Sequence, residues 1–527
     1  MPMPDTSLPV SGPPVSALPA REQLADGFPD ARLTLRLASG AALVLPATLD
    51  AITTYVVLEQ EAWFEKEAGF LAHWLAPGMT AIDIGANHGV YAVPMARAVA
   101  PRGRVFAYEP ASAPRRLLEK SRDLNGCSID VRSSALSDAP RHGRLLIKAS
   151  SELNRLAGAS GARDGKGAGN LNLAESGEPA SGEPVEITCL DAETGWSIVD
   201  FVKIDAEGEE ERILAGGRNF FANHSPLVMF EVKSGDRTNE NWRGAFAQTG
   251  YRVFRLLGGA PLLVPDDPAM PLDGYELNLF AAKPDRVADL AAQGRLVEAV
   301  PPFAPNAAAR EDALAQPRAL PFADGFSKLF APSVAARLDN DYRDGLAAFA
   351  VWRSPGRSLA ERHAALEFAV ARLTEACARA ASPPRLVTLA RAAWEAGRRS
   401  IAVTALLRFL DACSPGRDTI DEPFWPAAPR FDVIASRGNP AEWFVVSALE
   451  QLVRTASFSS YFGTPGIDLG WLSGFRFASR EMERRHVLRR ARAGEKVEVP
   501  LRLRVSSPDH VNAPAWRSGA VPNTFVR

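Results

Sequence analysis

Cysteine is scarce in this chain: four in 527 residues, at Cys127, Cys189, Cys377 and Cys413, with no C-x-x-C spacing among them. Such scatter excludes a disulfide framework and signals no zinc site, so a reducing cytoplasm is the expected location. Net charge is also small, because 60 basic residues against 62 acidic ones leave −2. No global field therefore draws nucleic acid or an anionic membrane. No apolar run approaches the roughly 18 uninterrupted residues of a membrane-crossing helix, so no membrane span is expected. The first 28 residues are rich in Pro and Ser but lack the basic cluster and apolar core of a signal peptide. They read as a disordered leader. The length leaves room for two or three domains and a sizeable core.

What is present is concentrated in residues 81–92, where Ala81-Ile82-Asp83-Ile84-Gly85-Ala86-Asn87-His88-Gly89 reads as a buried strand ending on an acid and a glycine-rich turn before a helix. Gly85 and Gly89 permit positive φ and close backbone approach, and the helix start offers unpaired N–H groups. A dinucleotide fold would show G-x-G-x-x-G with the helix aimed at pyrophosphate. Here the strand ends on a carboxylate, which suits a cationic cofactor. S-adenosyl-methionine (SAM) carries a sulfonium and an ammonium beside its carboxylate and ribose. The next strand supplies a second acid, Glu109, 26 residues after Asp83, about where an open α/β sheet places a ribose-diol acceptor. His88, in the same turn, is a weaker candidate, for contact with substrate or as a base.

Four blocks carry a family resemblance: Ile82 to Tyr91; Tyr108-Glu109-Pro110; Ala135-Leu136-Ser137-Asp138; and Asp200-Phe201-Val202-Lys203-Ile204-Asp205-Ala206-Glu207-Gly208-Glu209, followed by Pro226 to Val232. Through them residues from about 50 to 285 resemble an FkbM-family methyltransferase. The resemblance implies a class I SAM-dependent fold, mostly O-methyl transfer, and acceptors that are commonly sugar or polyketide hydroxyls. By the same resemblance Asp138 is an adenine contact and Asn278 a family position. Asp83, Gly85, Asn87, Gly89, Glu109 and Asp138 are thus the expected SAM site.

Asp205 and Glu207 follow a strand, and ligands of open α/β sheets sit at the carboxyl ends of strands. They could serve as general base, as oxygen ligands to a divalent cation, or as hydrogen-bond partners of sugar hydroxyls; the sequence leaves all three open, and any metal requirement with them. Glu231 ends the next strand and faces the same rim. These three acids are the expected acceptor side, while Glu209 reads as a helix cap. Lys203 lies in an apolar strand, where an unpaired charge is costly, so it should meet a carboxylate or reach the surface at an edge, in a structural role.

Strands and helices alternate from Thr80 to Ala135, the rhythm of a parallel sheet. The fold expected is α/β: a doubly wound, mostly parallel, seven-stranded Rossmann-like sheet over residues 29–290, closed by an antiparallel pair. Tyr55–Leu75 suits one amphipathic helix, and Glu209–Phe221 another. Residues 150–184, almost all Gly, Ala, Ser, Glu and Asn, read as a flexible insertion. A linker over 291–325 leads to a mainly α-helical domain, 326–527, where 385–413 resembles one tetratricopeptide-like hairpin. That domain is the expected surface for substrate or a protein partner. Arg484, Arg485, Arg489, Arg490 and Arg492 read as a solvated basic face. Two other functions fit less well. One is a SAM-binding scaffold or regulator in cell-envelope polysaccharide assembly; the other is a nicotinamide-dependent oxidoreductase, which should show the missing G-x-G-x-x-G.

Overall fold

The computed structural model describes residues 31–146, 155–156, 182–206, 208–234, 237–238, 241–412 and 420–527. They form two compact units. The sheet unit takes in the described residues up to Arg255, then Glu276–Ala292 and Val487–Arg527; the helical unit takes in Leu256–Tyr275 and Gln293–His486. The units interleave along the chain where the sequence suggested one boundary. The expected leader and most of the 150–184 insertion lie outside the described residues.

The sheet unit opens with a hairpin, β1 (Arg32–Arg36) on β2 (Ala42–Pro46), followed by α1 (Ile52–Gln60) and α2 (Lys66–Trp74). The doubly wound core follows: β3 (Thr80–Ile84), α3 (Ala92–Val99), β4 (Arg104–Tyr108), α4 (Ser112–Asn125), β5 (Ile129–Arg132), β6 (Phe201–Ile204), α5 (Glu210–Ala215), α6 (Arg218–His224), β7 (Leu227–Glu231), β8 (Arg252–Leu256) and β9 (Asn278–Ala282). Within this unit the strands run in the order β5-β4-β3-β6-β7-β9-β8. The first five are parallel neighbours, whereas β9 is antiparallel to both β7 and β8. The order reverses between β3 and β6, and ligands of open α/β sheets bind at such a switch point. Strands β3, β6 and β7 are mostly apolar and nearly all buried, as in a parallel sheet with both faces covered by helices. Arg141–Leu146 and Gly182–Thr188 bracket the expected insertion and pair with each other, Leu146 opposite Gly182.

Two helices are broken where one was expected. Between α1 and α2 the chain turns at Glu61, whose φ of 58° is left-handed. Its carboxylate accepts the backbone N–H groups of Val511 (2.8 Å) and Asn512 (2.9 Å) and lies 3.0 Å from His510 Nδ1. Between α5 and α6 lie Gly216 and Gly217. A Cβ at Gly216 would stand 2.3 Å from the Ser137 carbonyl oxygen, so backbone packing at that corner dictates the break.

In the helical unit, α7 (Asn340–Arg353), α8 (Leu359–Arg379), α9 (Pro383–Glu395), α10 (Arg399–Ala412) and α11 (Pro440–Ala456) surround a core of Phe322, Phe326, Phe424, Trp443 and Phe444. Side chains of Asp339, Ser358, Ser382 and Asn439 accept from first-turn amides and so start four of these helices. The α9–α10 hairpin occupies the stretch read as tetratricopeptide-like. Arg391 is fully buried yet doubly bonded to Asp432, at 3.0 and 2.9 Å, and it also meets Glu395. Arg484 and Arg485 are buried as well, Arg485 on Glu481, contrary to the solvated face expected of them.

Candidate functional site

The turn after β3 is built from backbone. The amides of Gly85 and Ala86 both donate to the Tyr108 carbonyl at 3.0 Å, locking the loop to the end of β4. Gly85, Asn87 and Gly89 all have positive φ, at 79°, 46° and 88°. At Gly85 the reason is close approach: a Cβ would fall 1.9 Å from the Asp205 carbonyl oxygen. Asn87, the one side-chain-bearing residue of the three, donates its backbone N–H to Glu109 Oε2 at 2.7 Å. Glu109 Oε1 accepts from Ala111 N–H at 2.9 Å. Burial pushes the Glu109 carboxyl up to about 7 against the pull of these two amides.

Asp83 is fully buried, and no side chain donates a hydrogen bond to its carboxylate, on which the Ala92 backbone N–H acts. Lys203, its neighbour in the β3–β6 register, brings Nζ to 3.8 Å from Oδ1. Burial pushes Asp83 up to about 6, with Asp205 adding to the rise and Lys203 opposing it. Lys203 Nζ bonds Asp205 Oδ2 at 2.8 Å and stands 5.2 Å from the centre of the Tyr91 ring. Burial alone would lower the lysine, but Asp205, Asp83 and Glu65 hold it above its ordinary value. Glu65 accepts from Tyr91 Oη at 2.6 Å and Asn278 Nδ2 at 3.0 Å, and its carboxyl is raised, chiefly by burial.

Asp83, Gly85, Asn87, Gly89, Glu109 and Asp205 therefore meet at the carboxyl ends of β3, β4 and β6. Asp138 is half-exposed and turned to Arg141 and Ser137; the Arg141 hydrogen bond is the main cause holding its carboxyl below the usual range. Glu231 pairs across the β7–β9 register with Asn278, one strand beyond Asp205. Glu207 lies outside the described residues. Glu209 is buried and accepts from Ser137 Oγ at 2.5 Å. His88 is buried with Nδ1 3.3 Å from Thr53 Oγ1, packing rather than lining the turn. Glu65 escaped the sequence reading, since an acid just before a helix resembles a cap and nothing local ties it to Asn278. Among the described residues no cluster of His, Cys, Asp or Glu could hold a metal ion, and no helix is long and apolar enough to cross a membrane.

The donor set suits SAM. A buried carboxylate with unused lone pairs offers its charge to a cation, the left-handed turn keeps side chains out of the cradle at Gly85 and Gly89, and each Glu109 oxygen keeps a lone pair for a ribose hydroxyl.

Residues 83–253, about a third of the chain, match the methyltransferase FkbM domain. No curated protein matches the sequence. Among solved structures, the chain is similar to methyltransferase FkbM from Methylobacillus flagellatus KT, with 13% identity over 39% of this chain and 43% of that one, and a TM-score of 0.25. A SAM-dependent O-methyltransferase from Thermotoga maritima shows 15% identity over 48% of this chain and 78% of its own, with a TM-score of 0.24. A SAM-dependent methyltransferase from Aquifex aeolicus shows 13% over 43% and 92%, with a TM-score of 0.23. Similarity at this level assigns no substrate to the chain, which aligns with less than half of the first of these proteins. Over residues 83–253 the chain carries a methyltransferase FkbM domain, set on the doubly wound sheet described above.

Proposed function

We propose that the protein transfers a methyl group from SAM to a hydroxyl on a saccharide or glycan precursor. The observation that carries the cofactor half is the buried carboxylate of Asp83, to which no side chain donates a hydrogen bond, beside the Gly85–Gly89 turn and Glu109. In this reading Asp83 faces the ammonium, the turn's backbone supports the amino-acid end, Glu109 takes the ribose diol and Asp138 lies toward adenine. SAM supplies an electrophilic methyl on a sulfonium that is already a good leaving group. The chain's own task is to place the acceptor oxygen in line and to take its proton.

Asp205, Glu207 and Glu231 are the acids proposed for the acceptor side. Asp205 supports that role by its position: it follows β6 at the switch point and its side chain is about one-third exposed. Carboxylates and amides at this rim suit a polyhydroxylated acceptor, which offers many O–H donors. The reaction is placed in a reducing cytoplasm, consistent with free Cys127, Cys189 and Cys377, and the helical unit is proposed to bind substrate or a protein partner.

The test is calorimetric titration with S-adenosyl-homocysteine and, in parallel, NADH, repeated on Asp83→Ala and Glu109→Ala. Transfer of labelled methyl from SAM to a panel of saccharides and simple alcohols follows. Binding of S-adenosyl-homocysteine alone, lost in both variants, with label appearing on a saccharide oxygen, supports the reading. Binding of NADH, or of neither ligand, overturns it.

A further inference from the structure

We propose that Lys203 is a positioning residue for both halves of the site, its single buried ammonium shared between Asp83 on the cofactor side and Asp205 on the acceptor side. The inference rests on the methyltransferase reading and deepens it.

The argument begins with register. Strands β3 and β6 are adjacent and parallel, and Lys203 sits opposite Asp83, so the two side chains leave the sheet on one face. An ammonium in that place is costly unless carboxylates surround it. Three do: Asp205 at 2.8 Å, Asp83 at 3.8 Å, and Glu65, which acts at longer range. Tyr91 closes the remaining side with its ring, while its hydroxyl is committed to Glu65.

The two distances do different things. At 2.8 Å Lys203 spends a hydrogen bond on Asp205 and fixes where that carboxylate points. At 3.8 Å it lends Asp83 its charge without hydrogen-bonding it, so Lys203 takes up none of that carboxylate's lone pairs. A closer lysine would take up one of those lone pairs itself. Three acids around one base leave room for a second cation, which a cationic cofactor can supply.

The test is a pH series of S-adenosyl-homocysteine titrations, from about pH 5 to about pH 8.5, on the full chain. Wild type is compared with Lys203→Met, Lys203→Arg and Asp205→Asn, each checked for folding by thermal unfolding. Groups facing Lys203 or its two acids are Asp83, Asp205, Glu65, Tyr91, Glu109 and Glu210. Glu109 contributes a background common to all four proteins, whereas Glu210, which faces Asp205, shifts in Asp205→Asn alone. In wild type, affinity falls as pH drops through about 6, where Asp83 takes up its proton. Removing the cation in Lys203→Met moves that fall upward by about one pH unit or more. Lys203→Arg restores it. Asp205→Asn removes a like charge and moves the fall downward.

Unmoved profiles in folded Lys203→Met and Asp205→Asn overturn the proposal, since a merely structural lysine would change stability and leave the pH dependence alone. Should Lys203→Met not fold, Asp205→Asn decides: a downward move supports the proposal, and no move or an upward one overturns it. Absence of binding by wild type at every pH is a separate outcome and sinks the methyltransferase reading itself.

Discussion

The carbonyl oxygen of Asp205 occupies the space that a side chain on Gly85 would need, 1.9 Å from the ideal Cβ position. The Gly85 turn and the backbone of Asp205 are thus in direct contact.

Gly85→Ala is therefore expected to destabilise the fold by at least about 2–3 kcal/mol, combining the left-handed φ with a clash against backbone. It should also abolish S-adenosyl-homocysteine binding. Gly126→Ala is the control: φ is +59° but no atom lies within 4 Å of the added methyl, so only about 1–2 kcal/mol is lost. Thermal unfolding of both variants checks the contrast. Equal losses would show that the contact with Asp205 contributes nothing.

Glu109→Gln keeps the shape but turns one acceptor oxygen into a donor. Both oxygens now accept backbone N–H groups, from Asn87 and Ala111, so one of those amides must be left facing an NH2. The expected cost is about 1–3 kcal/mol in stability, with at least a tenfold weaker titration by S-adenosyl-homocysteine. Unchanged binding in the variant would remove Glu109 from the site.

Glu67, on α2, is buried with Oε1 unpartnered, and burial pushes its carboxyl up to about 8. The folded value lies above the unfolded one, so this group costs nothing below about pH 4.5 and its penalty grows as pH rises toward 8. Glu67→Gln should match wild type near pH 4.5 and be more stable by a few kcal/mol near pH 8. Urea midpoints measured across that range decide it; parallel curves would place the titration elsewhere.

Asn512 pairs with the backbone of Arg36 like a short extra strand, accepting its N–H at 2.7 Å and donating to its carbonyl at 2.8 Å. Removing the amide in Asn512→Ala leaves two backbone groups of β1 without those partners and should cost about 1–3 kcal/mol. Hydrogen exchange at Arg36 should accelerate in parallel. Protection unchanged at Arg36 would show that the tail does not hold the hairpin.

Much of the sheet was legible because its signals are local. Buried parallel strands are short apolar runs between turn residues, and Asp83 and Glu109 could be placed at strand ends from that pattern alone. The break at Glu61 was not legible, since Tyr55 to Leu75 has helical spacing throughout and the partners that satisfy the Glu61 carboxylate lie some 450 residues away. Glu65 was missed for the same reason: its meaning depends on Asn278 and Tyr91. Asp138 was placed by motif, and the structure shows it engaged with Arg141 and Ser137.

By itself the sequence determined the order of strands and helices, the glycine turn after β3 and the acids at the strand ends, because backbone φ preferences and apolar periodicity act within a few residues. Only the tertiary structure decided that Lys203 stands between Asp83 and Asp205 and that the last 41 residues return to the sheet unit. It alone decided, too, that Glu61 ends a helix. Those outcomes depend on which groups meet when distant segments pack, and a buried charge takes its partner from whatever the fold brings within a few ångströms.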